Sequence, residues 1–251
     1  MDASEAGVID PHLFLGFLGS FGGAIDFILH QQHSTVTGAQ EVGGPAQVWE
    51  LTRAQLEVSA IALALSIAVA LPIGAFFGHH GRGEFLVVSF GNAGRALPEI
   101  ALVFLLAAVI GVGLGNVAIA LTVLGVPPIL TNTFVGIRQV DRDAVEAARG
   151  MGMTGLGVLL RVEIPLAVPT IMSGIRTSAI NIIATATIAA YVGYSDLGDF
   201  ITAPNVYGSE GVLAGAICVA VLALLVEFTL AGVQRLLTPK GLKLQREGVR
   251  A

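Results

Sequence analysis

Five long apolar runs decide what this chain can fold into. They lie at about 57–78, 85–110, 113–136, 167–193 and 211–236. A bilayer span needs about 20 predominantly apolar residues, and each run reaches that length. Membrane β-strands are about ten residues long and alternate in polarity; these runs are longer and apolar all round. Within lipid only helices and closed barrels satisfy every backbone group, so the runs predict helices. Composition agrees. Of 251 residues 54% are hydrophobic and only 12% charged, with a mean hydropathy of +0.81. A soluble domain carries roughly 25% charged residues. The expected fold class is therefore an all-α membrane protein with five core transmembrane helices.

Basic residues predict the orientation, because they collect on the cytoplasmic side. Arg82 lies in the connection 79–84, and Arg138, Arg142, Arg149 and Arg161 in 137–165. Arg235, Lys240, Lys243, Arg246 and Arg250 lie at or beyond the end of the last run. Connections 111–112 and 194–210 carry no Lys or Arg. Five spans put every basic connection inside, with the C-terminus cytoplasmic. Residues 12–29 are apolar but interrupted by Asp26 and glycines. They form either a sixth span or an interfacial helix, followed by a polar external loop over 31–48. The acidic N-terminus (Asp2, Glu5, Asp10) has no basic n-region, so a cleaved signal peptide is not expected. The single cysteine, Cys218, excludes an internal disulfide. GxxxG pairs at Gly19/Gly23, Gly74/Gly78, Gly111/Gly115 and Gly211/Gly215 read as sites of close helix packing.

Residues 146–165, EAARGMGMTGLGVLLRVEIP, form a polar island between apolar runs. Residues 141–152 predict a short helix, capped by Asp141 or Asp143. Ala144, Ala147 and Ala148 favour it. Val145, Ala148 and Gly152 fall on one face, with Asp143, Glu146 and Arg149 more exposed. Met151, Met153 and Leu156 follow as an apolar tip, and methionine suits adaptable contact surfaces. Such a helix fits a groove on a partner. Gly150-Met-Gly152-Met-Thr-Gly155 also matches GxGxxG, but a dinucleotide fold needs a preceding strand and a βαβ unit. Here a helical pattern precedes it and a span follows.

The spacing Glu146-Ala147-Ala148, three residues, Gly152, nine residues, Val162-Glu163-Ile164-Pro165 is similar to the EAA loop of permease subunits in binding-protein-dependent (type I) ABC importers. Val162 and Ile164 depart conservatively from that pattern. Val126-Pro127-Pro128-Ile129-Leu130, Arg95-Ala96-Leu97-Pro98, His80-Gly81-Arg82-Gly83 and Ala184-Thr185-Ala186-Thr187-Ile188-Ala189-Ala190 resemble the glycine betaine/carnitine/choline branch. The likeness covers roughly residues 55–240. Tyr194-Ser195-Asp196-Leu197-Gly198 stands where the family often has Gly-Gly-Leu-Gly, which adds an acid to an external turn.

That resemblance implies the type I permease fold and a role for the loop as a coupling helix. Glu146, Ala147, Ala148, Arg149, Gly152 and Met153 would dock a cytoplasmic ABC ATPase dimer. It further implies a second permease subunit, an extracytoplasmic substrate-binding protein, ATP and Mg held by the ATPase, and the bacterial inner membrane. The implied organisation is an N-terminal segment (1–56), a transmembrane permease domain (57–236) with its coupling loop at 137–165, and a cytoplasmic tail (237–251).

Polar groups inside spans are costly and mark either structure or function. Arg95 and Glu99 are four apart around Pro98 and are expected to pair near a helix break, as a gate or as a structural ion pair. Asn132, Thr133, Asn181 and Thr185 line a polar pathway or bond between helices; Asn181 and Thr185 share a helical face. Arg176 is expected to snorkel to the cytoplasmic surface. Pro127-Pro128 interrupts backbone bonding midway through its run, which protein or a cavity must offset.

Other functions find less support. No Cys/His framework surrounds His30, His33, His79 or His80, so no metal site is expected. No catalytic constellation is visible, and no G-x-x-x-x-G-K-[ST] phosphate loop. The chain is read as a non-catalytic subunit with no nucleic-acid partner. The alternatives are an importer permease for another small polar solute, such as an amino acid, or an ATP-independent carrier or channel. The last would need internal repeats or its own ion site, and neither is seen.

Overall fold

A computed structural model describes residues 11–238, apart from 35, 39 and 97; for 11–18, 93, 95 and 96 only the backbone is described. The expected basic tail beyond 238 and the acidic residues before 11 lie outside the described residues, as does the side chain of Arg95.

Helix α1 (Pro11–Leu29) leads into a short antiparallel hairpin, β1 (Gln31–His33) and β2 (Glu41–Gly43), with Gln32 opposite Val42. Helix α2 (Gly44–His80) follows, then α3 (Glu84–Ala96), α4 (Glu99–Ile110) and α5 (Leu114–Arg138). A short helix α6 (Arg142–Gly150) precedes one continuous helical stretch. That stretch is α7 (Gly155–Val158), a π-helical turn (Leu159–Glu163), α8 (Ile164–Ala186) and a 3-10 segment to Val192. Short α9 (Gly198–Thr202) and long α10 (Pro204–Leu237) complete the chain.

Three boundaries differ from the sequence reading. The fourth span is part of a helical stretch that begins at Gly155, not 167, inside the expected loop. Helix α2 begins at Gly44, not 57, so the expected external loop is a hairpin followed by helix. Its 37 residues extend about 55 Å at 1.5 Å per residue, well beyond the ~30 Å hydrocarbon core. Residues 46–56 are polar enough to read as loop, yet they hold good helix formers and continue α2 past the bilayer. Gln55 there is fully buried and donates to the Ile183 carbonyl at 2.7 Å. The second expected span, 85–110, is two helices. Pro98 is extended (φ −65°, ψ 113°), and the residue before a proline is pushed out of the helical region.

Helix α5 is the central post, packed along α2 on one side and α8 on the other. Ile129, Leu130, Phe134 and Ile137 of α5 meet Ile171 and Ile175 of α8 in one core. Val58 and Ala62 of α2 meet Val117, Leu121 and Ile182 in a second. A third joins α1, α9 and α10, where Phe27 lies edge-on to Phe200 with ring centres 5.2 Å apart. Small residues set the spacing of α2 and α5. A β-carbon on Gly74 would come within 2.8 Å of Thr133, and one on Gly78 within 2.9 Å of Ile137. Gly211 and Gly215 likewise abut Tyr207 and Phe200. Gly19, Gly111 and Gly115 face open space, so the packing expectation fails for the Gly111/Gly115 pair.

Helix α5 runs through Pro127 and Pro128. Nearby carbonyls have hydroxyl partners on neighbouring helices. Ser178 donates to the Gly125 carbonyl, and Ser66 to that of Thr122 at 3.2 Å.

Candidate coupling site and intramembrane polar face

The loop helix α6 is built by its caps. Asp141, not Asp143, closes the start: its Oδ1 accepts from the Asp143 N–H at 2.9 Å. At the other end the Gly152 N–H donates to Arg149 O at 2.9 Å, and the Met153 N–H to Ala148 O at 3.2 Å. This pair of bonds is a Schellman closure, which puts its glycine in the left-handed region. Gly152 has φ +87° with nothing near its missing β-carbon, so backbone conformation alone demands glycine there. Thr154 then caps α7, its Oγ1 accepting from Gly157 N–H at 3.2 Å.

The faces of α6 fall as its periodicity predicts, except at its end. Ala148 is buried and Val145 half-buried, while Glu146, Ala147 and Arg149 are exposed. Gly152 is exposed, not on the packed face with Ala148, and Met153 is half-buried. Met151 is 78% exposed, Leu156 65% and Leu160 54%. These apolar side chains surround one open cleft together with Met153 and Arg161.

Behind α6 lies a polar cleft of about 290 Å³, lined by His79, Arg138, Arg142, Glu146, Arg149 and Glu163 among others. At its wall, His79 Nδ1 and Glu163 Oε2 lie 2.6 Å apart. Their side chains are 13% and 6% exposed. This contact ties the last turn of α2 to the π-helical turn that carries the loop into α8. Sequence reading weighed His79 only as a metal ligand; a partner 84 positions away leaves no local signal.

The intramembrane candidates divide into two groups. Asn132 packs against Gly174 of α8, and its Nδ2 donates to Pro128 O at 2.8 Å. Thr133 is fully buried against Gly74. Both occupy helix seams. Glu99 and Asn181 are exposed on the protomer, while Thr185 is buried. Thr185 Oγ1 donates to Glu99 Oε2 at 2.9 Å, so the described partner of Glu99 is on α8. Asn181 and Thr185 share a helical face, but α4 covers only the second.

Arg176 reaches along α10 toward its C-terminal turn. It pairs with Glu227 of α10 and donates through Nη1 to Gln234 Oε1 at 2.7 Å. Gln234 in turn donates to Pro169 O at 3.0 Å. The partners sit 51 and 58 positions downstream, on a helix that read as almost wholly apolar.

At the opposite end of the bundle, Asp196 in the turn 193–197 is fully buried. Its Oδ1 accepts from Gly198 N–H at 2.7 Å, while Oδ2 has no hydrogen-bond partner. Burial, with Asp199 nearby, pushes its carboxyl up to about 7. Asp199 itself is raised by burial. Burial and the charges of Glu57 and Asp196 raise Tyr194, whose hydroxyl donates to Ala54 O at 3.3 Å.

The architecture is a capped, exposed helix at one end of a bundle of long apolar helices. Residues 70–240 match the family described as binding-protein-dependent transport system inner membrane component. The chain belongs to that family. It is 40% identical over 197 residues to the glycine betaine/carnitine/choline transport system permease protein OpuCB of Bacillus subtilis (strain 168), covering 78% of this chain and 91% of that one. It is 36% identical over 216 residues to the choline transport system permease protein OpuBB of the same organism, covering 86% and 99%. The fold is similar to a subunit in inward-facing structures of the MetNI methionine ABC transporter, with TM-score 0.69, 18% identity, and 78% and 98% coverage. It also matches a chain of an amino acid ABC transporter crystallised with histidines, with TM-score 0.58, 17% identity, and 91% and 99% coverage. The chain is a multi-pass inner-membrane permease with the type I importer fold. Among the described residues, four helical stretches are long and apolar enough to span a membrane.

Proposed function

We propose that this permease forms half of the translocation pathway of an ATP-driven importer for small quaternary-ammonium osmoprotectants: glycine betaine, choline or carnitine. A second permease copy or a paralogue supplies the other half. An extracytoplasmic binding protein delivers the solute, and a cytoplasmic ATPase dimer holds ATP and Mg. Helix α6 seats in the ATPase, with the C-terminus on the same cytoplasmic side.

The observation that carries this reading is the construction of α6. It is capped at both ends, presents Glu146, Ala147 and Arg149 outward, and lies beside an open apolar patch. Through His79–Glu163 it is joined to α2, and through the π-helical turn to α8. A partner that moves α6 therefore moves two spans. Alternating access also requires two global states with different contacts. The polar face of Glu99, Thr185 and Asn181 supplies the pathway. The chain has one Trp and three Tyr beside its 12 Phe, few of the rings that make the strongest cation cages, which supports selection by the binding protein.

Co-purification tests the reading. The solubilised permease is expected to retain its ATPase, and Glu146→Lys together with Gly152→Val to release it. Retention by the double variant, with ATP-dependent uptake unchanged, overturns the docking assignment.

A further inference from the structure

The turn 193–197 closes the end of the bundle opposite α6. Gly193 ends the 3-10 segment with φ +81°, a conformation that favours glycine. The Tyr194 N–H stays on Ala189 O at 3.2 Å, while its hydroxyl crosses to α2 and donates to Ala54 O at 3.3 Å. Leu197 is fully buried in one core with Phe27, Ile183 and Phe200. Gly198 presses on the Thr187 carbonyl, where a β-carbon would not fit. The Asp199 N–H donates to Asp196 O at 3.0 Å. The seated turn thus ties the end of the α8 stretch to α2 and α9.

Asp196 is the costly member of this seam. It is fully buried. One carboxyl oxygen accepts from Gly198 N–H, and the other has no partner. Among the described residues it forms no ion pair. The titratable groups around the turn are acids and phenols. Asp199 on α9 acts on Asp196 directly, Glu57 on α2 acts on Tyr194, and Tyr207 on α10 feels Asp199. The basic groups of this end lie elsewhere: Arg53 is exposed on α2, His33 is on β1, and His30 bonds Asp26. Gln55 gives no help. Its Nε2 is committed to Ile183 O at 2.7 Å, and its Oε1 is itself a buried acceptor without a donor. A buried carboxylate without a counter-charge is expensive, and a buried carboxylic acid much less so. The seated turn therefore suits the acid, and a turn displaced into water suits the carboxylate.

We propose that Asp196 is a proton-dependent latch: protonated, it keeps the turn seated between the α8 stretch and α2, and ionised, it releases the turn so that these helix ends can part. This rests on the alternating access proposed above, in which this end faces outside and must open to admit solute. The seated state binds the proton more tightly, so rising external pH favours release. Burial pushes the seated carboxyl up to about 7. Tyr194 and Tyr207, both raised from 10.0, stay neutral across that range. Asp199 is also raised by burial, so the test must separate the two acids.

Hydrogen exchange of the Tyr194 and Asp199 amides, both bonded while the turn is seated, reads the latch in the solubilised transporter. Corrected for the intrinsic chemical rate, wild-type exchange should speed about tenfold between about pH 5.5 and pH 8. Asp196→Asn keeps an oxygen for Gly198 and carries no charge, so it should exchange slowly at both values. Asp199→Asn should keep the wild-type response. Wild-type exchange indifferent to pH overturns the latch, as does a response that survives in Asp196→Asn or disappears in Asp199→Asn. In proteoliposomes loaded with ATP and held neutral inside, wild-type uptake should rise severalfold over the same external range, and Asp196→Asn should remove the rise. Responsive exchange with flat uptake overturns the gating role. Absence of ATP-dependent uptake by the wild type at every pH overturns the importer reading instead, on which the exchange measurement does not depend.

Discussion

The His79 imidazole and the Glu163 carboxylate meet at 2.6 Å, joining α2 to the helical stretch that follows the loop. One ends α2; the other ends the π-helical turn after the loop. Local π turns recur at functional sites. Here Pro165 and Pro169 withhold backbone donors where α8 begins, so a side-chain contact carries part of the connection. Glu163→Gln and His79→Ala are expected to lower the number of solute molecules imported per ATP hydrolysed by severalfold. His79→Ala leaves the buried Glu163 carboxylate short of a partner, at about 1–3 kcal/mol, while Glu163→Gln keeps a hydrogen-bonding amide and removes only the charge. Uptake and phosphate release from the same vesicles measure the ratio.

The caps of α6 make separate predictions. Asp141→Ala removes the N-cap bond and should cost about 1 kcal/mol in helix stability. Gly152→Ala forces a side chain into φ +87° and should cost about 1–2 kcal/mol. Both should weaken ATPase retention without changing the thermal stability of the transmembrane bundle. Pull-down titration and thermal unfolding, run on the same preparations, check the pair.

Asp196 makes stability depend on pH. Its folded carboxyl titrates at about 7, against 3.8 for the unpaired group. The folded state therefore binds this proton more tightly than the unfolded state. Its contribution is full below about pH 4 and is lost as pH rises through about 7. Tm should fall between pH 5 and pH 8, and Asp196→Asn should flatten that slope. Unfolding curves of the detergent-solubilised protein at the two pH values measure it.

Arg176 and Glu227 bond α8 to α10 inside the bundle. Breaking a buried pair on one side costs about 3–5 kcal/mol, because the remaining charge is uncompensated. Here the side chains are 29% and 22% exposed, so the lower end is expected. Arg176→Met alone should lower Tm clearly, and adding Glu227→Leu should recover much of the loss. A double-mutant cycle of thermal unfolding checks this coupling.

What the sequence revealed follows the range of its signals. Long apolar runs identify spans because lipid leaves few alternatives. Asp141 and the alanines after it announce α6, since capping and propensity act within a few residues. The start of α2 escaped notice because residues 46–56 have loop-like polarity and helix-forming side chains together. Pro98 was visible as a possible break, yet the hydrophobicity around it read as one span. The Schellman closure gives a physical reason for the glycine at 152 that spacing alone did not. His79–Glu163, Arg176–Glu227 and Thr185–Glu99 join residues 84, 51 and 86 positions apart. Such pairs exist only once the helices are packed.

The most direct measurement is ATP-dependent solute uptake by reconstituted transporter whose apolar patch beside α6 carries Met151→Asp and Leu156→Asp. Both side chains are exposed on the permease, so the bundle should fold and unfold at its usual temperature. Uptake should fall to the level seen without ATP, and the ATPase should dissociate. Uptake at the wild-type rate with the patch charged would contradict the coupling role of α6.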